Sequence, residues 1–149
     1  MAPVTGSVEA NPHLVCVPRR RLPGHSLYGD FMATRNLTRP SEIDQCIENC
    51  SRCHAICIET IAHCLAKGGK HAAPAHIRLL LDCAQICATS ADFMLRGSDM
   101  HSHTCGACAE ICARCAEECD RMADDDMMRE CAEICRACAE SCRLMSHAA

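Results

Sequence analysis

The sequence predicts an all-α protein, an up-down-up-down antiparallel four-helix bundle with a cysteine-lined core. Three observations carry this. Sixteen of the seventeen cysteines recur within their stripes at steps of three and four residues, or of seven between Cys57 and Cys64. They fall into four stripes, separated by Gly68-Gly69, Gly97 and the acidic turn Asp124-Asp125-Asp126. The connections between stripes are short, which makes consecutive helices antiparallel neighbours. A three-four step is the seam that a helix turns toward its partners, and leucine ordinarily fills it. Here the filler is thiol.

The first helix is expected at about residues 42–66, after Pro40. Ser41 serves as N-cap, and Glu42 and Asp44 suit the positive end of the helix dipole. Its stripe is Cys46, Cys50, Cys53, Cys57 and Cys64. The second is expected at about 74–96, opened by the first-turn proline Pro74 and carrying Cys83 and Cys87. The third, at about 99–123, is capped by Ser98 or Asp99 and carries Cys105, Cys108, Cys112, Cys115 and Cys119. The fourth, at about 126–146, carries Cys131, Cys135, Cys138 and Cys142. One Cys-x-x-Ile-Cys unit lies in each helix, at Ile56, Ile86, Ile111 and Ile134, so one chemical unit stands on all four walls. Ile43, Thr60, His76, Leu80, Ser90, Met94, His101, Met122, Met128 and Met145 complete the seam. Ile47, Ile58, Ile61, Ile77 and Leu79 exceed the needs of one small bundle and suggest a self-associating face.

Residues 1–40 hold five of the six prolines and no sustained periodicity. They are expected to form a flexible or loosely docked extension, with Cys16, His13 and His25 incidental. The extension has a charge balance of +3 and residues 41–149 one of −7. An acidic body argues against nucleic acid as a partner. No apolar run is long enough to span a membrane. The N-terminus lacks an apolar h-region, and cysteines three or four apart on one helix face are poorly placed to bridge each other. The expected setting is a reducing cytoplasm.

Thiols at such spacing are metal ligands. Side chains at i and i+4 lie about 5–6 Å apart at Cβ, and zinc–thiolate bonds are roughly 2.3 Å long. A Cys-x-x-x-Cys pair can therefore clamp one ion from a single helix. Charge selects the metal. Sixteen buried thiolates must be neutralised, a divalent ion on four thiolates leaves a charge of −2, and no Lys or Arg occupies the seam. A monovalent ion at about one per thiolate leaves the core neutral, and soft sulfur ligands select Cu(I). Zinc or cadmium remains an alternative. So do an iron–sulfur protein, despite the mismatch of Cys105 to Cys115 with a ferredoxin run, and a thiol redox buffer. No single cysteine is distinguished as a nucleophile, so no enzyme activity is expected.

Residues 42–146 resemble the cytosolic branch of the four-helix-bundle copper storage proteins. The resemblance rests on Cys83-Ala84-Gln85-Ile86-Cys87-Ala88, Cys108-Ala109-Glu110-Ile111-Cys112, Cys115-Ala116-Glu117-Glu118-Cys119 and Cys131-Ala132-Glu133-Ile134-Cys135 through Cys142. It implies a homotetramer of bundles that stores many Cu(I) ions on core thiolates, limits copper toxicity and does no catalysis. The expected partners are copper ions and the donor and acceptor proteins or chelators that exchange them. The family loads metal through one end, where cytosolic members usually place histidines between the third and fourth helices. This chain has no histidine in Asp120 to Met128. The expected ligands at that mouth are Met122, Met128 and His76, with Asp126 a weaker one; Met127, His63 and His71 also lie there. The opposite end holds His101, His103, Met94 and Met145, also metal-compatible. His54, off the seam, is expected to be structural or exposed.

Overall fold

The computed structural model describes residues 41–147, and Cys16, His13, His25 and the rest of the N-terminal segment lie outside them. The described residues form α1 (Ser41–Lys67), α2 (Pro74–Leu95), α3 (His101–Asp120) and α4 (Asp126–His147). Each helix packs against two others in the order α1, α2, α3, α4 and back to α1. This is the expected four-helix arrangement, and it puts one stripe on each wall of a shared core.

Local chemistry sets the ends. Gly68 and Gly69 take positive φ after α1, where a β-carbon would be strained, and the Gly68 amide donates to the Cys64 carbonyl. Gly97 (φ 66°) ends α2 in a Schellman turn: the Ser98 amide donates to Phe93, and the Gly97 amide to Met94. Pro74 opens α2 as expected.

The third helix is shorter than the sequence suggests. Ser98 is not its N-cap, because Met100 holds the cap position, and the Ser98 hydroxyl accepts from the Met100 amide in the turn before the helix. The helix starts at His101 and ends at Asp120. Beyond it the Met122 and Ala123 amides reach back three residues, to Cys119 and Asp120, and tighten the chain into turns.

The core is nearly all cysteine, alanine and methionine around Leu80. Fifteen of the sixteen described cysteines have no exposed surface, and Cys115 has 1%. Ala109 and Ala116 on α3 and Ala132 and Ala139 on α4 are also buried, and these small side chains let the two backbones approach. Ile47, Ile61, Ile77 and Leu79 pack half-buried against the core rather than standing free, whereas Ile58, Leu65, Leu81, Leu95 and Leu144 are exposed. Among the described residues no helix is long and apolar enough to cross a membrane.

Candidate metal centre

The four stripes converge on a column of sulfur. All sixteen described cysteines are reduced and buried. Nearest sulfurs stand 3.4 Å apart at Cys50–Cys142 and Cys87–Cys112, and 3.6 Å at Cys46–Cys142, Cys53–Cys135 and Cys83–Cys112. A metal–sulfur bond of roughly 2.3 Å puts two ligands about 3.8 Å apart on a tetrahedral ion, about 4.0 Å on a trigonal one and about 4.6 Å on a linear one. The core needs only small side-chain adjustments to reach any of these.

Five sets of cysteines bring every sulfur within 4.8 Å of the others in its set: Cys46/Cys105/Cys142, Cys50/Cys108/Cys138/Cys142, Cys53/Cys87/Cys112/Cys138, Cys53/Cys57/Cys83/Cys135 and Cys57/Cys115/Cys131/Cys135. Successive sets share a ligand: Cys142, then Cys138, then Cys53, then Cys57 with Cys135. Thiolate sulfur has lone pairs enough to bridge two ions, so the column is one connected chain of binding positions. Every set draws on three or four helices, as helix packing requires when each wall offers one stripe.

The thiols do not titrate alike. Cys87 and Cys112 are held above the ordinary thiol range, chiefly by hydrogen bonding with Cys108, with burial adding to it. Cys53 and Cys108 lie below it, chiefly because Cys112 stabilises their thiolates. When one of these thiols gives up its proton, its protonated neighbours hydrogen-bond to the thiolate, while burial keeps the metal-free core as a whole protonated. Thr60 and Ser90 interrupt the column with hydroxyls that are fully buried and lack a partner.

At one end, Cys64 meets His76 Nε2 at 3.6 Å and Met128 Sδ at 3.7 Å. His76 and Met128 are buried, as is Met122. Burial lowers the His76 pKa, against the pull of Glu118, and so favours the neutral ring that ligates metal. The Cys64 thiol is pushed up by burial and then by the negative charge of Asp125.

Asp126 is a correction to the sequence reading. Its side chain is 91% exposed and pairs with Arg129, so it faces water rather than this cluster. The inward carboxylate is Asp125, which the sequence reading missed. Its Oδ1 accepts from the Met127 amide at 3.0 Å, as an N-cap does, and its Oδ2 accepts from His63 Nε2 at 2.8 Å and from Lys67 Nζ. The signal was available: the residue just before a helix turns its side chain back over the helix end, and the first helical residue does not. Met127 is half-buried, and His71 is buried with its Nε2 4.0 Å from Asp125. His54 is structural, its Nδ1–H donating to the Ala84 carbonyl at 3.0 Å and tying α1 to α2.

At the opposite end, Cys105 lies 3.8 Å from Met94 Sδ, and Met94 and Met145 are both buried. His103 is exposed.

A four-helix bundle with a continuous buried thiol column is a metal-binding protein of the multi-ion, thiolate-lined class. Residues 39–147 match the copper storage protein family, and the chain belongs to it. Among solved structures, the Nmul_A1745 protein of Nitrosospira multiformis is 44% identical with a TM-score of 0.69, covering 73% of this chain and 98% of that one. The Cu(I)-bound copper storage protein BsCsp3 is 36% identical, TM-score 0.66, over 70% of this chain and 98% of that one. A cytosolic copper storage protein of Streptomyces lividans, solved with five coppers, is 32% identical, TM-score 0.67, over 71% and 92%. The cysteine-rich protein YhjQ of Bacillus subtilis is 37% identical over 68 residues, which are 46% of this chain and 63% of that relative.

Proposed function

We propose that this chain stores and buffers Cu(I) in the cytoplasm, holding many ions on the thiolates of its core and so limiting copper toxicity. The observation that carries this is the connected column, in which each sulfur set shares a cysteine with the next. A protein that needs one structural or catalytic ion needs one such set. A column of sets serves capacity.

The proposed ligands are Cys46, Cys50, Cys53, Cys57, Cys64, Cys83, Cys87, Cys105, Cys108, Cys112, Cys115, Cys119, Cys131, Cys135, Cys138 and Cys142. Cu(I) is favoured over zinc or cadmium on charge. Among the described residues the buried set contains no Lys or Arg, so a monovalent ion at about one per thiolate leaves a filled core neutral, whereas a divalent ion on four thiolates of its own leaves −2 uncompensated. Each arriving ion replaces protons on sulfur, and the thiolate that forms is neutralised where it forms. The burial of every described thiol supports storage over nucleophilic catalysis.

Cys64, His76, Met128 and Met122 are proposed as the loading mouth. They offer one thiolate, one imidazole and two thioethers, a graded soft set through which an ion is handed inward. Homotetramer formation is proposed on the exposed Ile58, Leu65 and Leu81, with copper donor and acceptor proteins or chelators as exchange partners. The test is anaerobic Cu(I) titration against a competing chelator, read by sulfur-to-copper charge-transfer absorption. Continued uptake past ten or so ions is expected for a column of sixteen thiolates. Saturation at a few ions contradicts it, and brown colour with iron and acid-labile sulfide would favour the iron–sulfur reading.

A further inference from the structure

The end of the bundle remote from Cys64 carries a donor set of the same kind. There α1 and α3 begin and α2 and α4 finish, and Cys46, Cys105 and Cys142 form the terminal sulfur set. Met94 lies against Cys105. Met145 is buried three residues beyond Cys142 and lines a surface groove with Glu42, Gln45, Ser141 and Leu144. His101 stands one turn ahead of Cys105, on the same face of α3.

The His101 ring is set up as a ligand. Its Nδ1 lies 2.8 Å from the Ser98 carbonyl oxygen, which can only accept, so Nδ1 carries the proton. The neutral ring then presents a lone pair at Nε2, and that atom is buried without any partner. A backbone carbonyl that fixes the far nitrogen is the usual support of a metal-bound imidazole. An unused buried acceptor otherwise costs stability with no return. The carbonyl is available because Ser98 lies in the Schellman turn, and its oxygen also accepts the His101 amide.

We propose that this end is a second Cu(I) gate, in which His101 Nε2 and the thioethers of Met94 and Met145 pass the ion to Cys105 and the Cys46/Cys105/Cys142 set. The inference rests on the storage reading and adds a second route into the same column. Imidazole and thioether bind as neutral donors and release no proton. The proton is lost from the Cys105 thiol as Cu(I) takes its place, so the gate stays uncharged once occupied. The chain of shared cysteines connects this set to the one at the far end, so ions admitted at either end fill one store.

The test uses the full chain with 15N-labelled histidine, loaded anaerobically with Cu(I) from a weak chelator. The His101 Nε2 resonance should shift during loading while its Nδ1–H stays bonded. In parallel, the double variant His76→Leu, Met128→Leu should still load, about twofold more slowly than the parent as one of two routes is lost. Adding His101→Leu and Met145→Leu should slow it by about tenfold or more. A core that fills, by charge-transfer absorption, while His101 Nε2 stays silent overturns the second gate and leaves storage standing. So does a folded His76→Leu, Met128→Leu variant that takes up no copper. Absence of charge-transfer absorption in the parent overturns storage, and the gate with it.

Discussion

Cys53, Cys57, Cys135, Cys138 and Cys142 each belong to two sulfur sets, whereas Cys50 and Cys87 belong to one. A ligand shared between two sets should matter twice. Cys138→Ser is therefore expected to lower Cu(I) capacity by about twice the loss caused by Cys50→Ser, because two sets each lose a thiolate. Equal losses, measured by chelator competition, would argue against bridging at Cys138. The hydroxyl of Thr60 gives an independent check on the metal-free core. It is fully buried and unpartnered, so Thr60→Val should stabilise the apo bundle by about 1 kcal/mol in urea unfolding. A comparable loss would mean that the hydroxyl has a partner in solution. At this scale the sequence was informative about identity and silent about grouping. The three-four spacing put every one of these cysteines on a seam. Which ones share a set depends on the axial offset between helices, and a stripe read along one helix does not contain that.

At the scale of the element, the turn between α3 and α4 does more than connect. Asp125 caps α4 through Oδ1 and holds the end of α1 through Oδ2, by way of Lys67 and His63. Hydrogen bonding from Lys67, then from His63, holds the Asp125 carboxyl well below the usual carboxylate range. Its contribution to stability is therefore complete above about pH 4, the ordinary aspartate value, and is lost as pH falls through the lowered folded value. The Lys67 ammonium is pushed up by the same bond, so its contribution is present below about pH 10.4 and is lost as pH rises past its raised value. The ion pair thus operates between those limits. Asp125→Asn keeps a capping side chain and removes the charge. It should lose less stability on acidification than the parent, while Asp125→Ala should also lose about 1 kcal/mol at neutral pH from the missing cap. Parallel acid profiles for the parent and Asp125→Asn, in reduced apo protein, would contradict this role. The sequence reading found the acidic turn and named Asp126 as a weaker entry ligand, since composition alone does not say which of three aspartates faces inward. It also started α3 two residues early, because Ser98 and Asp99 read as caps while the chain uses the Ser98 hydroxyl in a turn.

For the whole molecule, the fold was legible because its two requirements coincide. The positions that must be buried to pack four helices are the positions that must face inward to bind metal, so one periodicity reports both. His76, Met94, Met122, Met128 and Met145, read as seam members, are all buried at the ends of the column. The protonated core is neutral and packs as small apolar side chains, so the apo chain is expected to fold without copper. Filling exchanges one neutral core for another and should stabilise the bundle by mass action. The central claim is this exchange of proton for monovalent metal along the whole column. Its most direct test counts protons during anaerobic Cu(I) titration of the reduced full chain at constant pH. The account predicts uptake well beyond a few ions and, at saturation, about one proton released per copper bound. Saturation after one or two ions, or a final ratio of several protons per ion, would contradict it.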